Sequence, residues 1–183
     1  MRCGWTGWGR PGNSAGNAPW WMPAASPQQG GEATGPNPVD RGKAGTTHHL
    51  ITEGQGLPMA VRVTKANRQE SVAFEELVDA VPPIRGPRGQ RRKRPDKLHA
   101  DKGFDKPHCR RFLHRRGIRV RIARVGIESK GTLGRHRWVI ERTFAWLRRF
   151  RRLSIRYEQR LDIHQAFLTL GCALIWFRAL ERS

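Results

Sequence analysis

The sequence predicts an α/β fold in which helices flank one mixed sheet. Three observations predict it: alternating apolar residues mark short strands, apolar residues at helical spacing mark helices, and the two kinds of element follow one another along the chain. The predicted order is two strands, a helix, a strand, a helix, a strand and two long helices. Such an order is typical of a layered domain.

A hairpin and a short helix are the first predicted elements. Residues 48–52 and 58–64 have the composition of strands, and a Glu-Gly-Gln-Gly turn at 53–56 separates them, so the pair predicts a β-hairpin. Ser71 is a candidate N-cap for an amphipathic helix that Pro82 and Pro83 end. The apolar face of this helix is Phe74, Leu77, Val78 and Val81.

Further elements follow after a Gly-, Pro- and Arg-rich linker at 85–94. They are a strand that ends at Asp101, a helix capped by Gly117, a half-buried strand that alternates Arg with apolar residues, and two long helices. The predicted ranges are, in that order, 97–100, 107–116, 118–123, 135–151 and 162–180.

The first 34 residues differ from the rest in composition. Four of the seven Trp lie among Gly, Pro, Asn and Ser there, without helical or strand periodicity. Gly and Pro together make up 32 of the 183 residues. We therefore expect an irregular segment at 1–34 and a folded core at 35–183.

Charge is concentrated in one block of the chain. Residues 85–160 contain 26 Lys and Arg against six Asp and Glu, which equals the net charge of +20 of the whole chain. A field of this density needs a polyanion to neutralise it, so nucleic acid is the expected partner. Charge alone does not distinguish DNA from RNA, or a nucleic-acid binder from a basic solubilising surface.

Cysteine usage and hydropathy indicate a cytoplasmic protein. The three cysteines are far apart and odd in number, which favours reduced thiols over disulfides or a zinc site. The N-terminus lacks the apolar core of a secretory signal, and no run approaches the ~18 consecutive apolar residues of a membrane span. We expect no membrane partner.

Glu141 is the first candidate for chemistry. It is the only acid between Ser129 and Tyr157, and it shares a helix face with Arg137 and Arg148 beside an apolar stripe. A Glu–Arg pair on a helix is also an ordinary structural feature that contributes a few tenths of a kcal/mol. By itself the pattern favours the structural interpretation.

Asp101 is the second candidate. It follows the predicted strand 97–100 and precedes a Gly-containing turn, the place where open α/β sheets bind ligands. An Asp there also caps turns, although Asp105 fits a capping role before the next helix better. Together Asp101 and Glu141 provide hard oxygen ligands inside a basic block. Mg²⁺ or Mn²⁺ beside a phosphodiester uses such ligands.

Three segments resemble insertion-sequence transposases of the acid-triad (DDE) type, which have a ribonuclease H-like core. The segment Gly35 to Gly45 resembles the loop before the family's hairpin, and Leu98 to Asp105 resembles the strand that bears the second acid. Arg137 to Arg148 is similar to the family's Tyr-x2-Arg-x3-Glu-x6-Lys helix. Arg148 stands at the Lys position and Gly134 at the Tyr position, so the Tyr is missing. The resemblance covers about four-fifths of the chain.

The resemblance implies DNA transposition by metal-dependent strand cleavage and transfer, on double-stranded DNA at the ends of an insertion sequence. It implies catalytic and metal-binding roles for Asp101 and Glu141, with Mg²⁺ or Mn²⁺ as cofactor. It also implies a bacterial, nucleoid-associated protein, with a homodimer as a possible assembly. The residues expected to contact DNA are basic: Lys102, Arg137, Arg142, Arg148, Arg149, Arg151 and Arg152.

One departure from the family bears on activity. The family's first acid lies on a central strand before the Gly35 segment, and this chain has no acid from Met1 to Gly31. Glu32 lies in a Gly-rich loop and is a poor substitute. We therefore expect a truncated or frame-shifted copy that lacks the helical DNA-end-binding region. The sheet would lack its central first strand, because Pro23 and Pro27 cannot donate to a ladder, and cleavage would be impaired.

Two other functions remain open from the sequence. One is a non-catalytic basic nucleic-acid-binding protein, and the other is an unstable product without function. Four histidines, His99, His108, His114 and His136, share no predicted face, so we expect structural roles for them and not a metal site. Trp138, Trp146 and Trp176 are expected in the core.

Overall fold

The computed structural model describes residues 20–27, 31–37, 43–85, 89, 91–124 and 130–182. The strands in these ranges are β1 (Trp20–Pro27), β2 (Gly35–Pro36), β3 (Ala44–Thr52), β4 (Pro58–Lys65), β5 (Ile84–Arg85), β6 (Arg91–Arg92), β7 (Lys97–Ala100) and β8 (Arg119–Ile122). The helices are α1 (Phe74–Asp79), α2 (Pro107–Arg115), α3 (Lys130–Arg148), α4 (Arg151–Ser154) and α5 (Leu161–Leu180). The predicted hairpin and most later elements are confirmed.

A mixed sheet forms the centre of the fold. Strand β3 pairs antiparallel with β1 along one edge and with β4 along the other, and short β2 pairs with its beginning. Strand β1 pairs in parallel with β7, which pairs in parallel with β8. The order β4-β3-β1-β7-β8 is that of a ribonuclease H-like sheet, the fold class that the resemblance implies. Outside this sheet, β5 and β6 form a small ribbon within the predicted linker.

The expectation that the sheet lacks its central first strand is wrong. Residues 20–27, expected to be irregular, form β1 between β3 and β7. Neither Pro23 nor Pro27 lies in the stretch that pairs with β7, since that register covers Trp20 and Trp21. The prolines therefore interrupt the ladder with β3 only. Residues 1–19 of the expected irregular segment lie outside the described residues.

The sheet separates two hydrophobic clusters. Adjacent residues of a strand project to opposite faces, and Leu50 and Ile51 of β3 accordingly enter different clusters. The Ile51 cluster contains the apolar faces of α1 and α2, together with Leu98 and Ala100 of β7. The Leu50 cluster is formed mainly by α3 and α5. The helices α3 and α5 therefore pack on one face of the sheet, and α1 and α2 pack on the other.

The helix termini differ in part from the predictions. Ser71 is buried within a 3-10 turn at Glu70–Ala73, and the residue before that turn, Gln69, makes no side-chain cap. Asp105 does not cap α2; its carboxylate pairs with Arg110, 2.7 Å away. Gly117 has a φ of +64°, as expected for the residue that ends α2.

The third helix begins and ends earlier than predicted. It covers Lys130–Arg148, where the sequence predicted 135–151. Phe150 has an extended backbone, which separates α3 from the single turn α4. The Ser154 hydroxyl donates to the Arg148 carbonyl and satisfies one of the acceptors left open at the end of α3.

A buried polar cluster attaches α5 to the sheet. The Nε2 atoms of His48 on β3 and His164 on α5 are 2.9 Å apart, and both rings are almost fully buried. Nδ1 of His164 lies 3.5 Å from the Glu158 carboxylate, which also accepts from Arg152. Burial lowers the pKa of His48 to about 3, because desolvation penalises the imidazolium. A hydrogen bond between two neutral imidazole rings therefore joins β3 to α5.

The last helix is long and apolar. By length and composition α5 is able to cross a membrane, although core helices of globular proteins pass the same test. Its inward residues His164, Leu168, Gly171 and Ile175 are buried against the rest of the fold. A Cβ at Gly171 would lie 2.8 Å from a Leu153 methyl, so this glycine permits the close approach of α4 and α5.

The buried histidine makes stability depend on pH. A histidine whose folded pKa lies near 3 binds a proton more readily in the unfolded chain, whose pKa is 6.5. The stability it supports is complete above about pH 6.5 and falls as the pH drops toward about 3. We expect His48→Gln to flatten the decrease in the urea midpoint between about pH 7 and about pH 4.5.

The matched control for this measurement is His114→Gln. His114 is exposed on α2, away from the buried pair. We expect it to leave the slope of stability against pH unchanged. Equal slopes for wild type and His48→Gln would contradict the assignment of this pH dependence to the buried pair.

Candidate acidic site and basic surface

Asp101 lies at the carboxyl end of β7, as the sequence predicts. It is half-buried, and its Oδ1 accepts a hydrogen bond from the Lys102 amide at 2.7 Å. The residue is thus the N-cap of the 3-10 turn Lys102–Phe104, so the turn-capping interpretation is confirmed. A carboxylate has several acceptor positions, and this bond is compatible with a second role as a cation ligand.

The alternation of β7 indicates which face Asp101 belongs to. Leu98 and Ala100 are buried in the cluster beneath α1 and α2. Adjacent residues of a strand project to opposite faces, so His99 belongs to the other face. Asp101, one residue past the strand, continues this alternation and belongs to the same face as His99. That face is the one covered by α3.

Glu141 lies on α3 and is exposed to solvent. Its neighbours Val139, Ile140 and Phe144 are buried in the cluster against Leu50, so the helix register is fixed. The helix contacts both β1 and β3. The elements that carry the two acids therefore meet at β1, on one side of the sheet.

The hydroxyl of Thr143 holds α3 to the β3–β4 turn. This side chain is fully buried, and its Oγ1 donates to the Gly56 carbonyl at 2.5 Å, with the Val139 carbonyl at 3.1 Å. Arg142 donates to the neighbouring Gln55 carbonyl. Arg142 and Thr143, the two residues after Glu141, thus fix the position of α3 against the β3–β4 turn.

No third acid accompanies Asp101 and Glu141 among the described residues. The strand beside Asp101 is β1, whose sequence Trp-Trp-Met-Pro-Ala-Ala-Ser-Pro has no carboxylate. Trp21 is level with Ala100, so Met22 is the next position, level with Asp101. Within the described residues there is no group of three His, Cys, Asp or Glu able to hold a metal.

Glu32 is the carboxylate nearest to β1 in the sequence, and it makes a structural hydrogen bond. Its Oε2 accepts from the Leu161 amide at 3.0 Å, at the first turn of α5. The backbone amide of Glu32 donates to the Gln159 carbonyl. These bonds join the segment before β2 to the start of α5.

The basic residues expected to contact DNA differ in their surroundings. Arg148, Arg149 and Arg151 are exposed at the end of α3 and the start of α4. Arg152 is exposed but pairs with Glu158 at 2.9 Å, and Lys102 is half-buried. For Arg137 the structure describes only the helical backbone. Arg148, Arg149 and Arg151 therefore form a compact exposed group.

Arg142 is held between two tryptophans. Its guanidinium lies 4.5 Å from the Trp138 ring centroid and 4.9 Å from that of Trp146. Trp138 is 51% exposed, so the expectation of a core position is wrong for this residue. The spacing Trp138–Arg142–Trp146 places all three on one helix face and was available from the sequence.

A small cavity lies beside this basic group, between α3 and α5. It has a volume of about 110 Å³. Its apolar lining includes Trp146, Phe150 and Ile175, and arginines 149, 178 and 182 also line it. Arginine next to aromatic surface suits a phosphate with an attached ring.

The four histidines singled out in the sequence differ in their surroundings. His99 is half-buried on β7, whereas His108 and His114 are exposed on α2. They belong to no metal-binding group among the residues that the structure describes. The side chain of His136 lies outside the described part of the chain. The buried pair of His48 and His164 was not predicted, because the two are 116 positions apart in the sequence.

Comparison with known proteins identifies a consistent set of relatives. The transposase DDE domain family matches residues 5–176. The chain is 49% identical over 150 residues to a Burkholderia cepacia transposase for insertion sequence element IS402, covering 82% of this chain and 71% of that protein. It is 26% identical over 139 residues to a Brucella ovis transposase for insertion sequence element IS6501, covering 73% of this chain and 98% of that protein.

A solved structure is also similar. The catalytic core domain of BIV integrase superimposes with a TM-score of 0.46 at 12% sequence identity. The superposition covers 84% of this chain and 80% of that chain.

Removal of the Thr143 hydroxyl is expected to loosen α3. Thr143→Val keeps the shape of the side chain but leaves the buried Gly56 carbonyl without its donor, at a cost of about 1–3 kcal/mol. Urea unfolding measures the cost, and hydrogen exchange of the α3 amides measures the local effect.

Thr169→Val is the matched control. The Thr169 side chain is exposed on α5, and its hydroxyl donates to the Gln165 carbonyl one helical turn away. We expect a change of less than about 0.5 kcal/mol there. Equal effects of the two substitutions would contradict an anchoring role for Thr143.

Proposed function

The chain belongs to the transposase DDE domain family, which acts in DNA transposition, and from that premise we propose that it binds double-stranded DNA at insertion-sequence ends but cleaves it poorly. The observation that carries the proposal is the pairing of a retained fold with an incomplete acid set. The sheet has its central strand, and Asp101 and Glu141 belong to one face. The strand beside Asp101 has no carboxylate.

The basic block supports binding to DNA. Residues 85–160 contain 26 basic and six acidic residues, so this block carries a net charge of +20. The exposed arginines 148, 149 and 151 lie at the end of the helix that carries Glu141. Phosphate contacts by such residues position a duplex without reading its sequence.

Family membership implies chemistry with a divalent metal ion, and we propose Mg²⁺ or Mn²⁺. The donor set fits one such ion, because Asp101 and Glu141 offer the hard oxygen ligands that these ions prefer. When bound, the ion would polarise a phosphodiester and activate its nucleophile. Asp101 and Glu141 would hold it, and the neighbouring basic residues would hold the phosphate.

The impairment follows from the number of ligands. Two carboxylates hold a divalent cation less tightly than three, and the second ion of a two-metal site would have fewer protein ligands. The lack of a carboxylate on β1 leaves the sheet intact, since β1 pairs with β3 and β7 through its backbone. We therefore expect DNA binding to be retained and cleavage to be impaired.

A second function has its own support. The exposed basic surface is sufficient for a non-catalytic nucleic-acid-binding protein, and it does not depend on the acids. This alternative predicts binding that is equal for inverted-repeat and unrelated duplexes.

We also propose that the protein acts as a homodimer.

A strand-nicking assay tests the proposed chemistry. Wild-type protein is incubated with labelled inverted-repeat DNA and Mg²⁺ or Mn²⁺, beside Asp101→Ala and Glu141→Ala. We expect no more cutting by wild type than by either variant. Metal-dependent cutting that both substitutions abolish would contradict impairment and would confirm the roles of the two acids.

Met22→Asp is the complementary variant. It adds a carboxylate at the position level with Asp101. If Asp101 and Glu141 form a partial site, Mn²⁺ should bind this variant at least about tenfold more tightly, which is ~1.4 kcal/mol. The gain should disappear when Asp101 is also changed to Ala. A gain that survives this change would place the ion elsewhere.

Salt dependence tests the basic surface separately. The logarithm of the DNA association constant should fall linearly with the logarithm of salt concentration. Changing Arg148, Arg149 and Arg151 to Gln should reduce the slope by about 0.9 for each phosphate that the variant no longer neutralises. Lys65→Gln, an exposed basic residue outside the block, is the control and should leave the slope unchanged. Equal slopes in all variants would refute this surface as the site of DNA binding.

A further inference from the structure

The outer face of α5 is a continuous apolar surface. Five large side chains on this helix are between 39% and 60% exposed. They are Ile163, Leu170, Leu174, Phe177 and Leu180. Two exposed alanines, Ala166 and Ala173, lie between them. A contiguous apolar surface of this size on one helix is a candidate interaction surface.

The spacing of this surface is that of a coiled-coil seam. Exposed apolar residues recur at intervals of three, four, three, four and three residues along α5. These positions are Ile163, Ala166, Leu170, Ala173, Phe177 and Leu180. A heptad repeat of this kind packs against another helix by inserting side chains into holes of the facing surface. The outer face therefore fits a helical partner.

We propose that the partner is α5 of a second copy, packed antiparallel about a two-fold axis that passes beside Gly171 and Cys172. This inference deepens the proposed homodimer by naming its interface. A two-fold interface uses the same surface on both copies, so the surface has to be complementary to itself.

The order of side-chain sizes supports the antiparallel register. In this register the residue numbers that face each other sum to 343. Leu170 then faces Ala173 of the second copy, and Ala166 faces Phe177 of the second copy. Each large residue of these two pairs meets a small one, as close packing favours, and Ile163 faces Leu180 at the two ends of the seam. A parallel pair would place large against large and alanine against alanine.

Charge also favours a second copy over nucleic acid. Between Ile163 and Phe177 the only ionisable side chains are His164 and Cys172. His164 is fully buried, and burial raises the pKa of the Cys172 thiol to about 12. From Ile163 to Phe177 the seam is thus uncharged in a chain of net charge +20, and exposed Arg178 is the one cation in the last turn of α5. Two copies meet there with little repulsion.

The exposed area is sufficient for a weak dimer. The exposed fractions of the five large side chains correspond to roughly 500 Å² per copy, and the pair reaches the ~1,000 Å² of a small specific interface. We expect weak association, measured at about 0.5 M NaCl to screen the basic block.

Sedimentation velocity across a concentration series of the full chain tests the association. Leu170→Glu should weaken the dimer at least tenfold. Val72→Glu is the matched control, because Val72 is an aliphatic residue 47% exposed outside α5, and it should associate as wild type does. Circular dichroism confirms that each variant is folded. A folded wild type that stays monomeric at all concentrations, or a Leu170→Glu dimer of unchanged affinity, would overturn the proposal.

Disulfide cross-linking tests the register. A mixture of Ala166→Cys and Phe177→Cys proteins should form a covalent dimer on mild oxidation, because these positions face each other between copies. Each variant alone should not, since its new cysteines lie about three turns apart. Cross-linking by either variant alone to the same extent would overturn the antiparallel register.

Two further outcomes identify another occupant of the seam. Binding of monomeric wild type to vesicles of neutral phospholipid, abolished in Leu170→Glu, would replace the second copy with a membrane. Protection of the α5 outer face from hydrogen exchange in a monomer would replace it with another part of the chain. Neither DNA nor metal is present in these measurements, so their failure is distinguishable from failure of the proposed cleavage chemistry.

Discussion

The rest of the structure depends on the pairing of β3 along both of its edges. From Thr46 to Thr52 this strand pairs with β1 on one side and β4 on the other, and its side chains enter both hydrophobic clusters. The strand is therefore covered in all directions. Backbone donors and acceptors buried in this way need partners, since each one left unpaired costs about 1–3 kcal/mol. That demand is what recruits residues 20–27 into the sheet.

The same demand explains how the sheet forms around a strand that carries no carboxylate. A ladder needs backbone amides and carbonyls, which almost any sequence provides, and β1 pairs with β3 despite two prolines. A metal site needs a carboxylate at one position, and no other residue type supplies it. The requirements of the sheet and of a metal site are therefore independent. In this chain the central strand β1 has no carboxylate, Asp101 lies at the end of β7, and Glu141 lies on α3.

The large positive charge is divided between structure and surface. Arg142 lies between two tryptophans and bonds to the turn after β3, and Arg156 is fully buried and donates to the Glu158 and Gln159 carbonyls. These arginines stabilise the packing of α3 and the start of α5. Those at the α3–α4 junction are exposed. Counting charges in the sequence overstates the basic surface, because part of the charge is internal.

The sequence by itself determined the element order, the hairpin, the strand that ends at Asp101 and the basic block, because periodicity and local charge are properties of neighbouring residues. It also singled out Asp101 and Glu141. Only the tertiary structure decided that residues 20–27 fill the centre of the sheet, since the demand for that strand comes from β3 and β7. The pairing of His48 with His164, and the division of α5 into a buried and an exposed face, depend on contacts between distant segments. The sequence pattern of neighbouring residues does not indicate such contacts.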